Sequence, residues 1–277
     1  MVAAGHGRIR LLVSDLDGTL VDAHKRLTPG TIAAVARLRA AGVGFTVISA
    51  RPMSGIVPLL GPLALDGTVA AFNGGILFRR DGTVLSRETI PPAVARGVIA
   101  IAAGKGVDTW VFADDRWYAT DGHGPHTDSE RVSSAQEPVV VADLSPLLER
   151  ADKITFVSDD TARLHALYEA CRNAHGDAAT IAQSQAYYLD VTALAANKGD
   201  GIAALAQASR VPLDQVAAVG DQANDLPMLA RAGLPIAMGN APDAVKAAAR
   251  DRGGHVTLAN DRDGVAHAID TYILGDQ

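Results

Sequence analysis

The feature that most constrains this chain is residues 11–22, LLVSDLDGTLVD, where two acidic residues directly follow a short apolar run. A short apolar run with β-branched members is typical of a buried parallel strand. Because residues two apart in a strand point to the same side, we expect Asp15 and Asp17 to face one crevice where this strand ends. Like charges crowded there cannot all stay ionised unless a cation joins them.

The pattern after this strand alternates helices and strands. Thr28 and Pro29 are typical of an N-cap and a first helical residue, and they predict a helix that ends at Gly42. Apolar runs at 43–50 and 67–75 predict two further strands. This β-α-β-α-β rhythm predicts an α/β fold whose core is a Rossmann-like, doubly wound parallel sheet.

The central part of the chain differs from the flanking parts in its aromatic content, and this difference predicts an inserted domain. Both tryptophans and four of the five tyrosines lie between Trp110 and Tyr188. Strand and helix patterns alternate there as well, whereas residues 121–138 have the composition of a loop. The predicted division is a catalytic core of residues 1–80 and 188–277 and an inserted α/β cap of residues 81–187.

The alternation of strands and helices that opens the chain returns after the insertion. VAAVGD predicts a strand that ends at Asp221, with Asp225 shortly after it, and Asn240 is expected to cap the helix that follows the next strand. If the strands that end at Asp15 and Asp221 are both central, these acids meet at one edge of the sheet. Oxygen ligands without cysteine or paired histidine favour Mg²⁺.

Other residues at this edge suit an anion. Ser49 ends a predicted strand and offers a hydroxyl, and Lys198 begins a predicted helix, where its ammonium and the helix N-terminus both favour negative charge. Mg²⁺ that is held by few carboxylates commonly also binds a phosphate. A carboxylate can attack phosphorus to form an aspartyl-phosphate, and a second carboxyl can protonate the leaving alcohol and then deprotonate a water. The pattern therefore predicts phosphoryl chemistry.

Composition excludes several other classes of protein. The chain has 277 residues with 48% hydrophobic residues, enough for a sizeable core, and a formal net charge of −6, which argues against a nucleic-acid partner. A single cysteine, Cys171, excludes an intrachain disulfide and a cysteine-based zinc site. No apolar stretch has the length of a secretory signal or a membrane span, so we expect a cytoplasmic protein with no membrane partner. The sequence leaves the oligomeric state unknown.

Four ordered motifs carry a family resemblance. DLDGTL, VISAR, Lys198 and GDQANDLPM resemble the motifs of the haloacid dehalogenase superfamily of phosphohydrolases. The insertion, the FNGG before it and the late NDRDGVAHAI are similar to the Cof-type branch, which has a large α/β cap of type IIB. The resemblance covers nearly the whole chain, and it implies an enzyme that is assisted by Mg²⁺.

The resemblance also implies a role for each motif residue. Asp15 would be the nucleophile and Asp17 the general acid and base. The implied Mg²⁺ ligands are Asp15, the backbone carbonyl of Asp17, Asp221 and Asp225. The implied phosphate-binding residues are Ser49, Lys198 and Asn224. For Asp225 a second role is open, that of an acid that orients Lys198.

The predicted cap contains the candidates for substrate specificity, which are its aromatic residues and the loop 121–130, and in particular Trp117, Tyr118, His123 and His126. The two aromatic residues could instead be core or cross-strand pairs of a cap sheet. The two histidines could instead be exposed loop residues.

The predicted function is a Mg²⁺-dependent phosphatase that acts on small phosphorylated metabolites through an aspartyl-phosphate. Sugar phosphates are the leading substrates, and pyridoxal phosphate and flavin mononucleotide are alternatives. A sugar phosphomutase is a rival, although the compact GDQAND resembles the phosphatases more closely. A catalytically idle regulator that binds sugar phosphates is another rival, but the chain has every motif acid.

Overall fold

The computed structural model describes residues 8–275 and contains three sheets within that range. The strands are β1 (Leu11–Ser14), β2 (Gly44–Val47), β3 (Val69–Ala71), β4 (Ile76–Phe78), β5 (Val84–Arg87), β6 (Asp108–Ala113), β7 (Arg116–Ala119), β8 (Val139–Val140), β9 (Lys153–Val157), β10 (Ala179–Gln185), β11 (Tyr188–Ala193), β12 (Val216–Gly220), β13 (Leu234–Ala237) and β14 (His255–Val256).

The helices pack around these sheets. They are α1 (Pro29–Ala40), α2 (Met53–Leu60), α3 (Pro92–Ala102), α4 (Thr127–Ser134), α5 (Thr161–His175), α6 (Lys198–Ala208), α7 (Leu226–Arg231), α8 (Asp243–Asp251) and α9 (Gly264–Ala268). Single helical turns lie at Leu16–Leu20, Phe72–Gly74, Ser145–Leu147, Leu213–Gln215, Ala223–Asp225, Asn260–Arg262 and Ile269–Ile273.

The core sheet has five parallel strands in the order β14-β13-β12-β1-β2. Leu12 and Val13 on β1 point to opposite faces, and both are fully buried in different apolar clusters. Burial on both faces requires a nearly continuous apolar strand, which is why LLVS carries no polar alternation. The predicted doubly wound α/β class is confirmed.

The predicted start of the first helix is also confirmed. The Thr28 hydroxyl accepts a hydrogen bond from the backbone N–H of Thr31 at 3.0 Å, and Pro29 is the first residue of α1. Gly42 follows the helix with a φ of 80°, a left-handed conformation that favours glycine.

A second sheet of six strands in the order β10-β11-β9-β6-β7-β8 covers the carboxyl edge of the core sheet. One face packs on α3 and α5, and its cluster includes Val111, Ile154 and Leu167. The other face packs on the core, where the ring centroids of Phe112 and Phe72 lie 5.7 Å apart. The inserted segment is therefore a layer above the edge where the core strands end.

The strand pairing moves the predicted boundaries of this insertion. β11 pairs with both β10 and β9, so the predicted limit at residue 187 would divide one sheet. At the other limit, β5 pairs with β4 in a three-stranded sheet that joins the core through a bridge between Ala70 and Ile48. We therefore propose that the cap spans residues 88–193.

The predicted loop at 121–138 is wrong over part of its length, because residues 127–134 form α4. Its sequence, TDSERVSS, has little apolar content, and Val132 is exposed. The helix is held instead by contacts with the core, where the Ser54 hydroxyl donates to the backbone carbonyl of Ser134 at 2.7 Å. Gly55 permits the close approach, because a Cβ there would overlap the carbonyl of Ser133. In the part of the chain that is described, no helix combines the length and apolar character needed to cross a membrane.

Candidate active site

Two acidic residues lie at the ends of neighbouring core strands. Asp15 follows β1 and Asp221 follows β12, and these strands pair directly in parallel. The backbone N–H of Asp15 continues the ladder by donating to the carbonyl of Val219 at 3.0 Å. Parallel strands end at the same edge, so both buried carboxylates meet there. One oxygen of each, with one of Asp225, forms a group whose members all lie within 4.8 Å.

Lys198 lies between two of these acids. The Asn197 side chain caps α6 by accepting from the backbone N–H of Asp200 at 2.9 Å, which places Lys198 in the first turn. The Lys198 ammonium donates to Asp15 Oδ1 at 2.6 Å and to Asp225 Oδ1. Burial alone would lower the pKa of Lys198, but the carboxylates of Asp15 and Asp225 outweigh it and raise that pKa above its ordinary value. The lysine therefore stays charged.

Asp225 is fully buried, and the protein supplies partners for both of its oxygens. Its Oδ1 accepts from Lys198, and its Oδ2 accepts from the backbone N–H groups of Asp221 at 2.8 Å and Gln222 at 2.9 Å. Gly220 makes room for it, since a Cβ there would overlap the Asp225 carboxylate. Of the two predicted roles for Asp225, these contacts favour the orientation of Lys198.

Asp221 is positioned by side chains on two other loops. The Thr19 hydroxyl donates to Asp221 Oδ1 at 3.0 Å, and the Asn240 amide donates to Oδ2 at 3.3 Å and to the Gly18 carbonyl at 2.9 Å. Gly18 has a φ of 78°, and a Cβ there would overlap the Asp221 carboxylate, so this turn requires glycine.

Asn240 is therefore a residue of this site, and its predicted role as a helix cap is wrong. The residue before α8 is Pro242, which has no capping side chain. Asn240 follows β13, the next strand of the core sheet, so the same strand-end argument that identifies Asp221 could have identified it. The sequence pattern does not predict Thr19 at the site.

The titration of the two strand-end acids shows how crowded this edge is. Burial raises the pKa of Asp15 to about 8, and the nearby carboxylates of Asp225 and Asp221 add to the effect of burial while Lys198 opposes it. Burial also raises the pKa of Asp221 to about 6, with Asp225 as the next contribution. Three acids with one lysine are thus short of positive charge. A divalent cation fits this donor set, because oxygen ligands without nitrogen or sulfur suit Mg²⁺.

Asp17 lines the same cavity as Asp15, as predicted, but it lies outside this group of three acids. The strand ends at Ser14, and Asp17 lies in the turn Leu16–Leu20, so the predicted alternation of a strand no longer applies to it. Its carboxylate accepts from Arg51 Nε at 2.7 Å and Arg51 Nη2 at 2.8 Å, and from Lys25 at 2.6 Å. Burial would raise the pKa of Asp17, but the hydrogen bonds and charges of these two partners hold it well below its usual range.

Ser49 and Asn224 both line the cavity that contains Asp15. The Ser49 hydroxyl is buried and accepts from the backbone N–H of Arg51 at 3.2 Å. Asn224 Nδ2 lies 3.5 Å from Asn73 Oδ1, and its own Oδ1 is buried without a hydrogen-bond partner in residues 8–275. Both predicted phosphate-binding residues therefore lie beside the predicted nucleophile.

The cap supplies the other wall of this cavity. Its lining side chains, which come from α4, β9, β10 and the β10–β11 connection together with the first residue of β11, are Ser129, Glu130, Ser133, Lys153, Ser184, Gln185, Tyr187 and Tyr188. They are mostly polar, and they face the acids of the core.

Three of the four predicted specificity residues lie elsewhere, so those predictions are wrong. Trp117 is fully buried, with its ring centroid 5.0 Å from that of Trp110, and it belongs to the core between cap and sheet. Tyr118 points to the opposite face and packs in the cap cluster. His123 is exposed and does not line the cavity. The alternative given above for Trp117 and Tyr118, that they are core-packing residues of the cap sheet, therefore holds for both.

His126, the fourth, lies one layer behind the cavity. Its ring stacks on that of Tyr187 with centroids 3.7 Å apart, and its Nε2 lies 2.7 Å from Asp159 Oδ1. Tyr187 lines the cavity and His126 does not. A contribution of His126 to specificity would thus act through the position of Tyr187.

Comparisons with known proteins agree with this fold. The sequence model of the haloacid dehalogenase-like hydrolases matches residues 12–269. Phosphatase YwpJ of Bacillus subtilis is 27% identical over 94% of this chain and 99% of its own length. The pyridoxal phosphate phosphatase YbhA of Escherichia coli K12 is 29% identical over 96% and 99%. The HMP-PP phosphatase of E. coli 55989 is 31% identical over 86% and 87%.

A solved structure extends the likeness to three dimensions. The crystal structure of a haloacid dehalogenase-like hydrolase from Bacteroides thetaiotaomicron matches with a TM-score of 0.81 and 27% identity, over 95% of this chain and 99% of that one. Family, relatives and fold thus agree along almost the whole length. The chain belongs to the haloacid dehalogenase-like hydrolases, in their Cof-type branch, and is a phosphatase of the phosphoric monoester hydrolase class.

Proposed function

We propose that this enzyme is a Mg²⁺-dependent phosphatase that hydrolyses small phosphorylated metabolites through an aspartyl-phosphate on Asp15. The observation that carries the proposal is the buried group of Asp15, Lys198 and Asp221 at the carboxyl edge of the core sheet. The cap covers this group with a polar wall, which suits a metabolite that has its phosphate at the core and its leaving group at the cap.

Asp15 and Asp221 would hold Mg²⁺, with Asp225 behind them. When bound, the cation would offset the crowded carboxylates and stabilise negative charge on the phosphoryl group. Asp225 has its oxygens engaged by Lys198 and two backbone N–H groups, which leaves Asp15 and Asp221 as the better donors. The backbone carbonyl of Asp17 as a further ligand stays a prediction.

Asp15 would attack phosphorus as the bond to the leaving oxygen breaks, and Lys198 would hold Asp15 in place and neutralise the transferring group. The Ser49 hydroxyl and Asn224, which line the cavity beside Asp15, would bind phosphoryl oxygens. Water would then attack the aspartyl-phosphate and release inorganic phosphate and the free Asp15 carboxylate.

Asp17 suits the role of general base better than that of general acid. An ionised carboxylate can take the proton of the attacking water, and Arg51 and Lys25 keep Asp17 ionised. To protonate a leaving alcohol, Asp17 must first take up a proton, so it must lose at least part of its contact with Arg51 or Lys25 when substrate binds.

The substrate class follows from family and cavity together. The relatives named for pyridoxal phosphate and HMP-PP act on small phosphorylated compounds, which supports the same broad class for this enzyme. Within that class, sugar phosphates are our leading proposal, with pyridoxal phosphate and flavin mononucleotide as alternatives. The cytoplasmic location stays a prediction.

A panel of phosphorylated metabolites tests the proposal. We expect release of inorganic phosphate with Mg²⁺ present, loss of that release with a chelator, and transfer of one phosphoryl mass to the peptide that contains Asp15 in a rapidly quenched reaction. Isomerisation of a sugar phosphate without net phosphate release would identify a phosphomutase instead. Binding without turnover of any ester would identify a regulator.

A further inference from the structure

We propose that Glu130 and Lys153 of the cap select a leaving group that is rich in hydroxyls and carries no second phosphate. We further propose that Lys153 positions the Ser49 loop through the backbone of Ala50. Both statements rest on the proposed phosphatase function, and they assign specificity to residues that lie outside the four sequence motifs.

Glu130 is a buried carboxyl that faces the cavity without a protein partner. It lies on α4, its residue is 6% exposed, and it lines the same cavity as Asp15. Within residues 8–275 its side chain makes no hydrogen bond and no ion pair, although every other acid that lines this cavity has both. Because the carboxyl group lines the cavity and no protein group occupies it, this position suits a ligand that donates hydrogen bonds.

The electrostatic surroundings of Glu130 agree with this position. Burial raises the pKa of Glu130 to about 7, with Lys153 and Arg51 opposing burial and with Asp190 and Asp17 adding to it. Near neutral pH the group can therefore accept a hydrogen bond from a hydroxyl, or donate one, as the ligand requires.

Lys153 lies on β9 and is also buried, with 5% of the residue exposed. Its ammonium donates to the Ala50 carbonyl at 3.2 Å and lies 3.9 Å from Asp190 Oδ1, beyond hydrogen-bond distance. It lies 4.5 Å from the centroid of the Phe112 ring. An ammonium has three donors, and the Ala50 carbonyl uses one, so donors are left for a ligand in the cavity.

The rest of the cap wall suits hydroxyls as well. Its serine hydroxyls and amide, each able to donate and accept, are Ser129, Ser133, Ser184 and Gln185. The Tyr187 ring is covered on one face by His126, which reduces its use as a stacking surface for a planar leaving group. A site built to bond hydroxyls discriminates strongly against an analogue without them, because its own polar groups would be left unpaired.

Charge argues against a second phosphate at this wall. Among the cap side chains that line the cavity, Lys153 is the single cation, and it is offset by Asp190 and by Glu130 when that group is ionised. A second phosphate at this wall would bring about two negative charges next to Glu130, with Lys153 as the one cap cation near them. The wall therefore suits the monophosphate of a sugar or polyol, and it disfavours a sugar bisphosphate.

Lys153 also connects the cap to the phosphate end of the cavity. Ala50 lies between Ser49, a predicted phosphate contact, and Arg51, the partner of Asp17. Because Lys153 bonds the Ala50 carbonyl, the cap contacts this loop directly. Lys153 is thus a positioning residue, which acts on Ser49 through the backbone.

The test compares Glu130→Gln, Lys153→Met and Lys153→Arg on three esters, namely glucose 6-phosphate, fructose 1,6-bisphosphate and p-nitrophenyl phosphate. We expect Glu130→Gln and Lys153→Met to lower kcat/KM for the sugar monophosphate by about 10- to 100-fold, the range for lost polar contacts in a pocket. The aryl ester, which needs no hydroxyl contacts, should change by less than about threefold for Glu130→Gln. Removing the Glu130 charge should raise the rate on the bisphosphate relative to the monophosphate.

Lys153 has a second readout. Through the Ser49 loop, Lys153→Met should lower kcat on the aryl ester also, whereas Lys153→Arg should restore part of it. The control is Glu137→Gln, an exposed cap acid that pairs with Arg131 and does not line the cavity. Melting temperatures and turnover of the aryl ester report whether each variant folds, and if Lys153→Met does not fold, Glu130→Gln and Lys153→Arg carry the test.

Equal losses on all three esters in Glu130→Gln would overturn the proposed selection by the cap. An unchanged aryl kcat in Lys153→Met would overturn the coupling to Ser49. By contrast, a parent enzyme that releases no phosphate from any ester with Mg²⁺ would overturn the proposed function itself.

Discussion

The two walls of the cavity treat charge in opposite ways. At the core edge, Lys198 donates to both Asp15 and Asp225. Asp225 also accepts a hydrogen bond from the backbone N–H of Asp221 in its own loop. At the cap wall, Glu130 has no side-chain hydrogen bond or ion pair within the described chain, and Lys153 bonds only the Ala50 carbonyl. The core is thus organised before substrate arrives, whereas the cap has polar groups that a ligand would satisfy.

The difference follows from how each wall is built. Asp15 and Asp221 come from the ends of two paired strands, so one register places both of them. Glu130 and Lys153 come from α4 and β9, two separate cap elements that each bond the core, through Ser134 and Lys153 respectively. The core wall, whose side chains bond one another, suits the chemical step that every substrate undergoes. The cap wall suits selection among substrates.

The largest expected effect is at the core wall. Asp15→Asn should lower kcat by at least about 1,000-fold, because the nearly isosteric amide cannot attack phosphorus. Phosphate release from the best substrate measures it, and the melting temperature shows that the fold is retained. Asp22→Asn is the matched control and should keep its activity, because this half-buried acid in the following turn bonds only backbone N–H groups and Arg26. Substantial turnover by Asp15→Asn would exclude the covalent route.

The second prediction sets the two buried lysines against each other. Lys198→Met should lower the free energy of unfolding by about 3–5 kcal/mol, because it leaves Asp15 and Asp225 buried without their shared partner. Lys153→Met should cost much less, since its nearest carboxylate, Asp190, lies at 3.9 Å. Urea unfolding without Mg²⁺ compares them. Equal losses would mean that the two walls do not differ in how they balance charge.

The third prediction concerns the missing positive charge at the core edge. Mg²⁺ at about 100 times its dissociation constant should stabilise the parent protein by about 2.7 kcal/mol, because it binds the folded state alone. Asp221→Ala should abolish most of this gain and raise the Mg²⁺ concentration needed for activity. Thermal unfolding with Mg²⁺ or a chelator measures the gain independently of turnover. An equal gain in parent and variant would place the cation elsewhere.

The smallest expected effect concerns Asp152 at the junction between core and cap. It tests whether unbalanced charge extends to that junction. Asp152 precedes β9 and faces Arg87 at 3.4 Å, and neither of its buried oxygens has a hydrogen bond in the described part of the chain. Burial raises the pKa of Asp152 from 3.8 to about 6, with Arg87 opposing it. Between these values the folded state holds a proton that the unfolded state lacks, so the contribution of Asp152 to stability is lost as pH rises through about 6.

Asp152→Asn should therefore remove part of the gain in stability between pH 8 and pH 5, by about 1–2 kcal/mol. Urea unfolding at both pH values measures this difference against the parent. Asp251→Asn, an exposed acid at the end of α8, should leave the pH dependence unchanged. If Asp152→Asn behaves as the control does, Asp152 does not carry the pH dependence of stability and the proposed unbalanced charge does not extend to the junction.

Local pattern predicted more of the core edge than of the cap wall. The strand-end argument predicts Asp15 and Asp221 at one edge, and the structure brings them together with Asp225. Asp17 lines the same cavity as Asp15, as predicted, but the chain turns directly after Ser14, so the alternation of a strand is not the reason for its position. In the cap, the alternation of β7 decides that Trp117 and Tyr118 point to opposite apolar clusters, and no local signal distinguishes this from a pocket.

The sequence by itself therefore determined the α/β class, the family and the acids at the strand ends, because short-range periodicity and strand polarity decide where those residues lie. Only the tertiary structure decided that α4 is a helix, that Asn240 reaches Asp221 and that Arg51 holds Asp17. Each of these depends on contacts between segments that are far apart in the chain. The direction in which Glu130 and Lys153 point has the same origin, since only the packing of the cap on the core turns them towards Asp15.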